Sequence, residues 1–198
     1  MKFGQHDLPN GPLDPCAAIV NRHPRLRHSL VCSLKYPMFE IEIANHQSAM
    51  EIDPEQIRNV VESALRAEQV CRAQISIGIM DDQAIHEVNR THLNHDYPTD
   101  VISFLYDSEV EDESLHTAGT FRGAGLSLDG EVVVSTETAM REAQRHHWSA
   151  QAEVTLYLVH GLLHLCGYDD LTDEEQVLMR AREREILQIW DLTPHYEF

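Results

Sequence analysis

The stretch Leu158-Val159-His160-Gly161-Leu162-Leu163-His164-Leu165-Cys166-Gly167-Tyr168-Asp169-Asp170 opens in an apolar run and closes in a polar, acidic turn. The apolar part reads as the end of a helix buried on several sides, which the rest of the chain must surround. His160 and His164 are four residues apart and so share one helical face. Two imidazoles in that geometry can grip one metal ion. Gly167 ends the helix, because glycine readily takes the left-handed conformation found at helix ends. The chain can then turn back and offer the carboxylate of Asp170 to the same ion. Two histidines and one oxygen ligand leave a fourth position open, as in a catalytic zinc site rather than a closed structural one.

Two histidines at this spacing can also be ordinary satisfied core residues, and a bare H-x-x-x-H favours that plainer reading. Gly167 and Asp170 shift the balance, since they complete an H-x-x-x-H-x-x-G-x-x-(H or D) frame that wraps a third ligand onto the metal. Zinc proteases use H-E-x-x-H, with the glutamate as general base. Here that position is Gly161, which cannot transfer a proton, so a conventional metalloprotease is disfavoured.

The same residues carry a family resemblance. His160-Gly161-x-Leu163-His164-Leu165-x-Gly167-Tyr168-Asp169 resembles the signature of the YbeY endoribonucleases, bacterial ribosomal RNA maturation factors. Asp96-x-Pro98-Thr99-Asp100-Val101-Ile102-Ser103-Phe104 is similar to the family's D-x-P-T-D-V-L-S-F. Gly130-Glu131-Val132-Val133-Val134-Ser135 is similar to its G-D-I-x-I-S. The blocks keep the family's order and approximate spacing, and the resemblance runs roughly from Met38 to Trp190. It implies a metal-dependent, single-strand-specific endoribonuclease acting in rRNA maturation and ribosome quality control. The implied partner is RNA, either the 16S rRNA precursor or the 30S ribosomal subunit, and not DNA. The implied cofactor is one divalent metal ion per chain, with zinc expected, held by His160, His164 and Asp170.

Two positions depart from the family's pattern. Asp170 stands where the family usually carries a third histidine, a mild change because carboxylates also bind zinc. Leu93, in His92-Leu93-Asn94-His95-Asp96, stands where the family usually carries an arginine, which removes a fixed cation from the substrate cleft. His92 and His95 are expected to replace that cation in part, and Asp96 to orient a ligand histidine. His95 and Asp96 are therefore the candidate catalytic residues. The plainer alternative makes such histidines exposed polar residues, and makes Asp96, Thr99 and Asp100 local caps for the strand that follows. Arg122, Arg141 and Arg145 are weaker candidates for phosphate contacts.

The composition is awkward for an RNA enzyme. The 198 residues carry a formal charge of -18, whereas nucleic-acid binding usually shows as a basic patch. Residues 1–37 hold five Lys/Arg against two Asp/Glu, a net of +3, which leaves -21 for the rest. Acid is concentrated in Asp107-Ser108-Glu109-Val110-Glu111-Asp112-Glu113, expected as a solvated loop. This argues against broad, non-specific RNA binding, but a divalent cation can dominate a local site. No run of apolar residues is long enough to span a membrane. There is no signal-peptide core, so a cytoplasmic location is expected. Cys16, Cys32, Cys71 and Cys166 form no C-x-x-C pair and are expected to be reduced. Cys166 is expected as a small buried apolar residue.

Pro9, Gly11, Pro12, Pro15 and Pro24 interrupt any periodicity before Met38. Residues 1–37 therefore read as a disordered or loosely attached extension, and 38–198 as the metal-dependent endoribonuclease domain. A start assigned too far upstream would explain the extension; a basic arm using Arg22, Arg25 and Arg27 on RNA is the functional alternative. Alternation predicts strands at Phe39–Ala44, through Ile75, Ile77 and Ile79, at Val101–Tyr106 and at Glu131–Ser135. Asp53-Pro54, Asp81-Asp82, Thr136, Ser149 and Thr172 are predicted helix starts. Residues 107–128 read as an irregular insertion, and Asp129-Gly130 as a turn. The fold class expected is α+β: one domain, a small mixed four-stranded sheet packed with about five helices, and the metal site at the end of a buried central helix. A metal hydrolase for another substrate, such as a peptide, and a non-catalytic ribosome assembly factor with a structural metal are the alternative functions.

Overall fold

The computed structural model describes residues 37–118 and 121–195. The expected extension 1–37 lies outside the described residues except for Pro37. In chain order the elements are β1 (Met38–Asn45), α1 (Pro54–Ala67), β2 (Arg72–Met80), α2 (Asp82–Leu93), β3 (Val101–Val110), α3 (Glu113–Ala118), β4 (Leu126–Ser135), α4 (Thr136–His146), α5 (Ala150–Leu165) and α6 (Asp173–Leu187). A single 3-10 turn, Gln188–Trp190, follows. The fold is α+β, with six α-helices against the five or so expected.

The sheet runs β1-β2-β4-β3. The first two pairings are parallel and the β3–β4 pairing is antiparallel, so the sheet is mixed. Alternation along each strand sorts side chains between the two faces. Ile75, Ile77, Ile79, Val132 and Val134 join the main core with α1 and α5. Ile102 and Val133 pack with Ile85 of α2 in a smaller cluster. The central helix α5 is buried on most sides: twelve of its 16 residues, including Leu158, Val159, Leu162 and Leu163, are buried. Its broad apolar surface packs against α1, α4, α6 and the sheet.

Most helix starts follow the expected capping chemistry. The side chains of Asp53, Asp81, Ser149 and Thr172 each accept a hydrogen bond from a backbone N–H two or three residues on. One position is corrected. Ser135, rather than Thr136, caps α4, and the Thr136 hydroxyl donates instead to the carbonyl of Met80, 3.1 Å away.

The insertion expected at 107–128 is also corrected. β3 continues to Val110 and β4 begins at Leu126, with Glu109 opposite Ser127, past an irregularity between Leu105 and Asp107. The acidic run concealed this strand because its charges project from the exposed half of an edge strand, where charge blunts unwanted pairing. Asp129-Gly130 is strand rather than turn. A side chain at Gly130 would meet the carbonyl oxygen of Phe104 at 2.7 Å and Leu165 Cδ1 at 3.0 Å, so glycine there permits close packing. Cys166 is free and buried, as expected. Cys71 is disulfide-bonded, which departs from the expectation of four reduced thiols.

Candidate metal centre

The end of α5 builds the site. Gly167 N–H bonds the carbonyl of His164, and Tyr168 N–H that of Leu163, both at 3.0 Å. This is the paired pattern of a Schellman cap, with Gly167 at φ +93 in the left-handed position. A side chain at Gly167 would meet nothing within 4 Å, so backbone conformation alone makes glycine suit this place. Beyond it, Asp169 Oδ1 accepts from the N–H groups of Asp170 (2.7 Å) and Leu171 (3.3 Å). That local turn swings Asp170 back over the helix end.

His160, His164 and Asp170 are thereby brought together, with one ligand atom of each within 4.8 Å of the others. The two Nε2 atoms lie 3.1 Å apart, and each is 3.9 Å from an Asp170 oxygen. Both Nδ1 atoms are engaged elsewhere. His160 Nδ1 lies 2.6 Å from Glu183 Oε1, and His164 Nδ1 lies 3.0 Å from the Tyr168 carbonyl oxygen. A carbonyl or carboxylate can only accept, so Nδ1 carries the proton in both rings. In the neutral tautomers both Nε2 lone pairs then face one another and the carboxylate. Three donor atoms pointing at one centre, with no proton between them, fit a divalent cation.

Electrostatics separate the two histidines. Burial disfavours the charge of His160, but the hydrogen bond to Glu183 and the charges of Glu183, Asp170 and Asp100 outweigh it and raise its pKa. His164 is lowered, first by burial and then by His160 beside it. Glu183 sits on α6 and is 2% exposed. It is a buried acid that orients a ligand histidine and raises its basicity, a common support for metal sites. Sequence reading gave this orienting role to Asp96. The structure instead places Asp96 Oδ1 2.9 Å from His86 Nε2 on the protein surface. The signal for Glu183 was its register: it shares the apolar stripe of α6 with Met179, Ile186 and Leu187.

His95 stacks on Tyr97, with ring centroids 5.5 Å apart. Neither His95 nor Asp96 lines the cleft beside the metal ligands. Leu93 ends α2 and is exposed. Thr99 and Asp100 do line the cleft, and also fix the start of β3. Asp100 Oδ1 accepts from Thr99 Oγ1 and from Val101 N–H, both at 2.9 Å. Ser103, from the same block, donates to the carbonyl of Gly161 at 3.1 Å and ties β3 to the site helix. A side chain at Gly161 would come within 2.6 Å of Val132 Cγ1. That position packs on the sheet, so a protease-type glutamate has no room there.

The three arginines considered for phosphate are all engaged. Arg122 holds the turn after α5: it donates to the Gly167 carbonyl (2.8 Å), pairs with Glu175 (2.7 Å) and lies over the Tyr168 ring. Arg141 pairs with Asp82, and Arg145 with Glu142. A cation at the histidines would therefore be a principal source of positive charge in the cleft.

Fold and site define an α+β protein with an open three-ligand cluster, fit for a divalent cation, at the end of a buried helix. The family model of endoribonuclease YbeY matches residues 42–191. The endoribonuclease YbeY of Syntrophus aciditrophicus is 34% identical over 148 residues, covering 74% of this chain and 86% of that protein. Its counterpart from Clostridium botulinum strain Eklund 17B is 36% identical over 164 residues, covering 77% and 98%. A Thermotoga maritima protein with a solution structure is 20% identical, covers 79% of this chain and 99% of its own, and has a TM-score of 0.49. The chain belongs to the YbeY endoribonuclease family.

Proposed function

We propose that this protein is a metal-dependent endoribonuclease that cleaves single-stranded RNA during rRNA maturation. The observation that carries the reading is the convergence of His160 Nε2, His164 Nε2 and an Asp170 oxygen, with both Nδ1 protons held away from the centre. Family membership supplies the substrate class. His160, His164 and Asp170 would hold one zinc ion. Such an ion supplies Lewis acidity toward a phosphoryl oxygen and lowers the pKa of a water toward about 7.

The chain's own residues do the rest. Glu183 fixes the His160 ring and tautomer through the 2.6 Å bond to Nδ1. The Tyr168 carbonyl does the same for His164. Asp169 and Arg122 hold the turn that presents Asp170. RNA in the cytoplasm, either the 16S rRNA precursor or the 30S subunit, is the proposed partner. Among the described residues no helix is long and apolar enough to cross a membrane.

The test is cleavage of a single-stranded RNA by the purified protein, with and without chelator, beside His164→Ala. The reading expects cleavage that chelator abolishes, zinc restores and the variant lacks. Robust cleavage in chelator would overturn the metal's role. No cleavage by zinc-loaded wild type would favour the non-catalytic assembly factor.

A further inference from the structure

The cleft beside the metal ligands has a volume of about 540 Å³, well inside the range of small-molecule sites. His160 and Asp170 line part of it; another part lies along the first half of α5 and is differently built. Glu153 is seven residues before His160, so both lie on one face of α5, about 10 Å apart along its axis. Glu153 is 2% exposed and lines the cleft; Tyr157 bonds its carboxyl group, but Oε2 accepts no hydrogen bond. His195 Nδ1 stands 3.8 Å away, beyond hydrogen-bonding distance. A buried acceptor without a donor is costly, and native proteins rarely carry one without a use.

The surroundings select the donor. Asp100, Glu142, Asp170 and Glu183 also line this cleft and outnumber its arginines, Arg141, which is taken by Asp82, and Arg180. This balance favours a hydrogen-bond donor over an anion beside Glu153. Among the described residues only His160, His164 and Asp170 converge closely enough to hold a metal, so these acids do not make a second ion site. Pro98, Leu156 and Met179 supply apolar wall. A ligand with apolar faces and an N–H on its edge matches both features, and a nucleobase is such a ligand.

We propose that this region is a base-recognition subsite, in which Glu153 accepts a hydrogen bond from the exocyclic amino group of the nucleotide next to the cleaved bond. This rests on the endoribonuclease reading above. In its ionised form the carboxylate only accepts, and a bound donor favours that form, so the subsite distinguishes cytosine, whose N4 amino group donates, from uracil, which presents the O4 acceptor at the same place. Glu153 is then a specificity-determining residue, two helical turns from the ligands that position the phosphate.

The experiment measures binding of 2′-O-methyl oligocytidine and oligouridine pentamers to the full-length, zinc-loaded protein and to Glu153→Gln. The wild type is expected to bind the cytidine pentamer about tenfold more tightly, and the variant to bring the ratio within about twofold. A wild-type ratio near one overturns the subsite whether or not the variant folds, as does a well-folded variant that keeps the tenfold preference. Unmodified RNA pentamers are assayed for cleavage in parallel. Selective binding without cleavage removes the endoribonuclease reading and leaves the subsite. Cleavage with no base preference in binding removes the subsite and leaves that reading.

Discussion

Glu183 is the residue whose replacement tests the site most directly without touching a ligand. Its carboxylate fixes the His160 tautomer at 2.6 Å. Glu183→Gln keeps the shape but weakens that hold, and is expected to lower zinc affinity about ten- to hundredfold. Competition with a calibrated chelator reads this, and an affinity equal to wild type would show that the bond does not matter to the metal. Gly161 tests packing rather than chemistry. Gly161→Ala drives a methyl toward Val132 Cγ1 at 2.6 Å, and is expected to cost about 1–3 kcal/mol of stability. Thermal unfolding measures it; an unchanged melting temperature would mean that α5 can lift off the sheet freely.

At the scale of the element, α5 carries a buried acid as well as its two ligands. Burial raises Glu153 from an ordinary 4.5 to about 7, with Glu142 and Asp100 adding to the rise and a bond from Tyr157 opposing it. The folded state therefore holds this proton more tightly than the unfolded chain. Stability from this group is intact below about pH 4.5 and falls as pH rises toward 7, where the folded carboxyl ionises. Glu153→Gln removes that loss. Its melting temperature is expected to exceed that of wild type by an amount that grows between those two pH values and then levels off. The plateau corresponds to on the order of 3 kcal/mol. A constant difference across the range would assign the effect to packing rather than to ionisation.

The whole molecule carries a charge of -18, and Arg122, Arg141 and Arg145 are all held by acidic neighbours. RNA binding is therefore expected to need the metal and to involve few phosphates. The slope of log affinity against log salt, about -0.7 per phosphate on a single strand, should correspond to only one or two contacts. Anisotropy of a labelled, uncleavable oligonucleotide over a salt series measures it, and chelator should weaken binding at every salt concentration. A steep slope that persists in chelator would reveal a basic surface and refute this expectation.

Local rules made much of the chain legible. The spacing of His160, His164 and Asp170, the break at Gly167, the capping side chains of Asp53, Asp81, Ser149 and Thr172, and the alternation of Ile75, Ile77 and Ile79 all act within a few residues. They therefore stand in the sequence itself. The outer half of β3 was hidden because an edge strand tolerates charge, and only pairing with β4 identifies it as strand. Asp96 and Glu183 show the same limit at the site. Either acid could have oriented a ligand histidine by chemistry alone. Asp96 meets His86 at the surface, while Glu183 lies 23 residues after His160 and reaches its ring only because α6 packs along α5. Local spacing and capping were enough to say which side chains can bind a metal and where the helix that carries them ends. Which carboxylate supports them, and which one, Glu153, is left buried with an open acceptor oxygen, followed from long-range packing alone, because both depend on helices brought together by burial of their apolar faces.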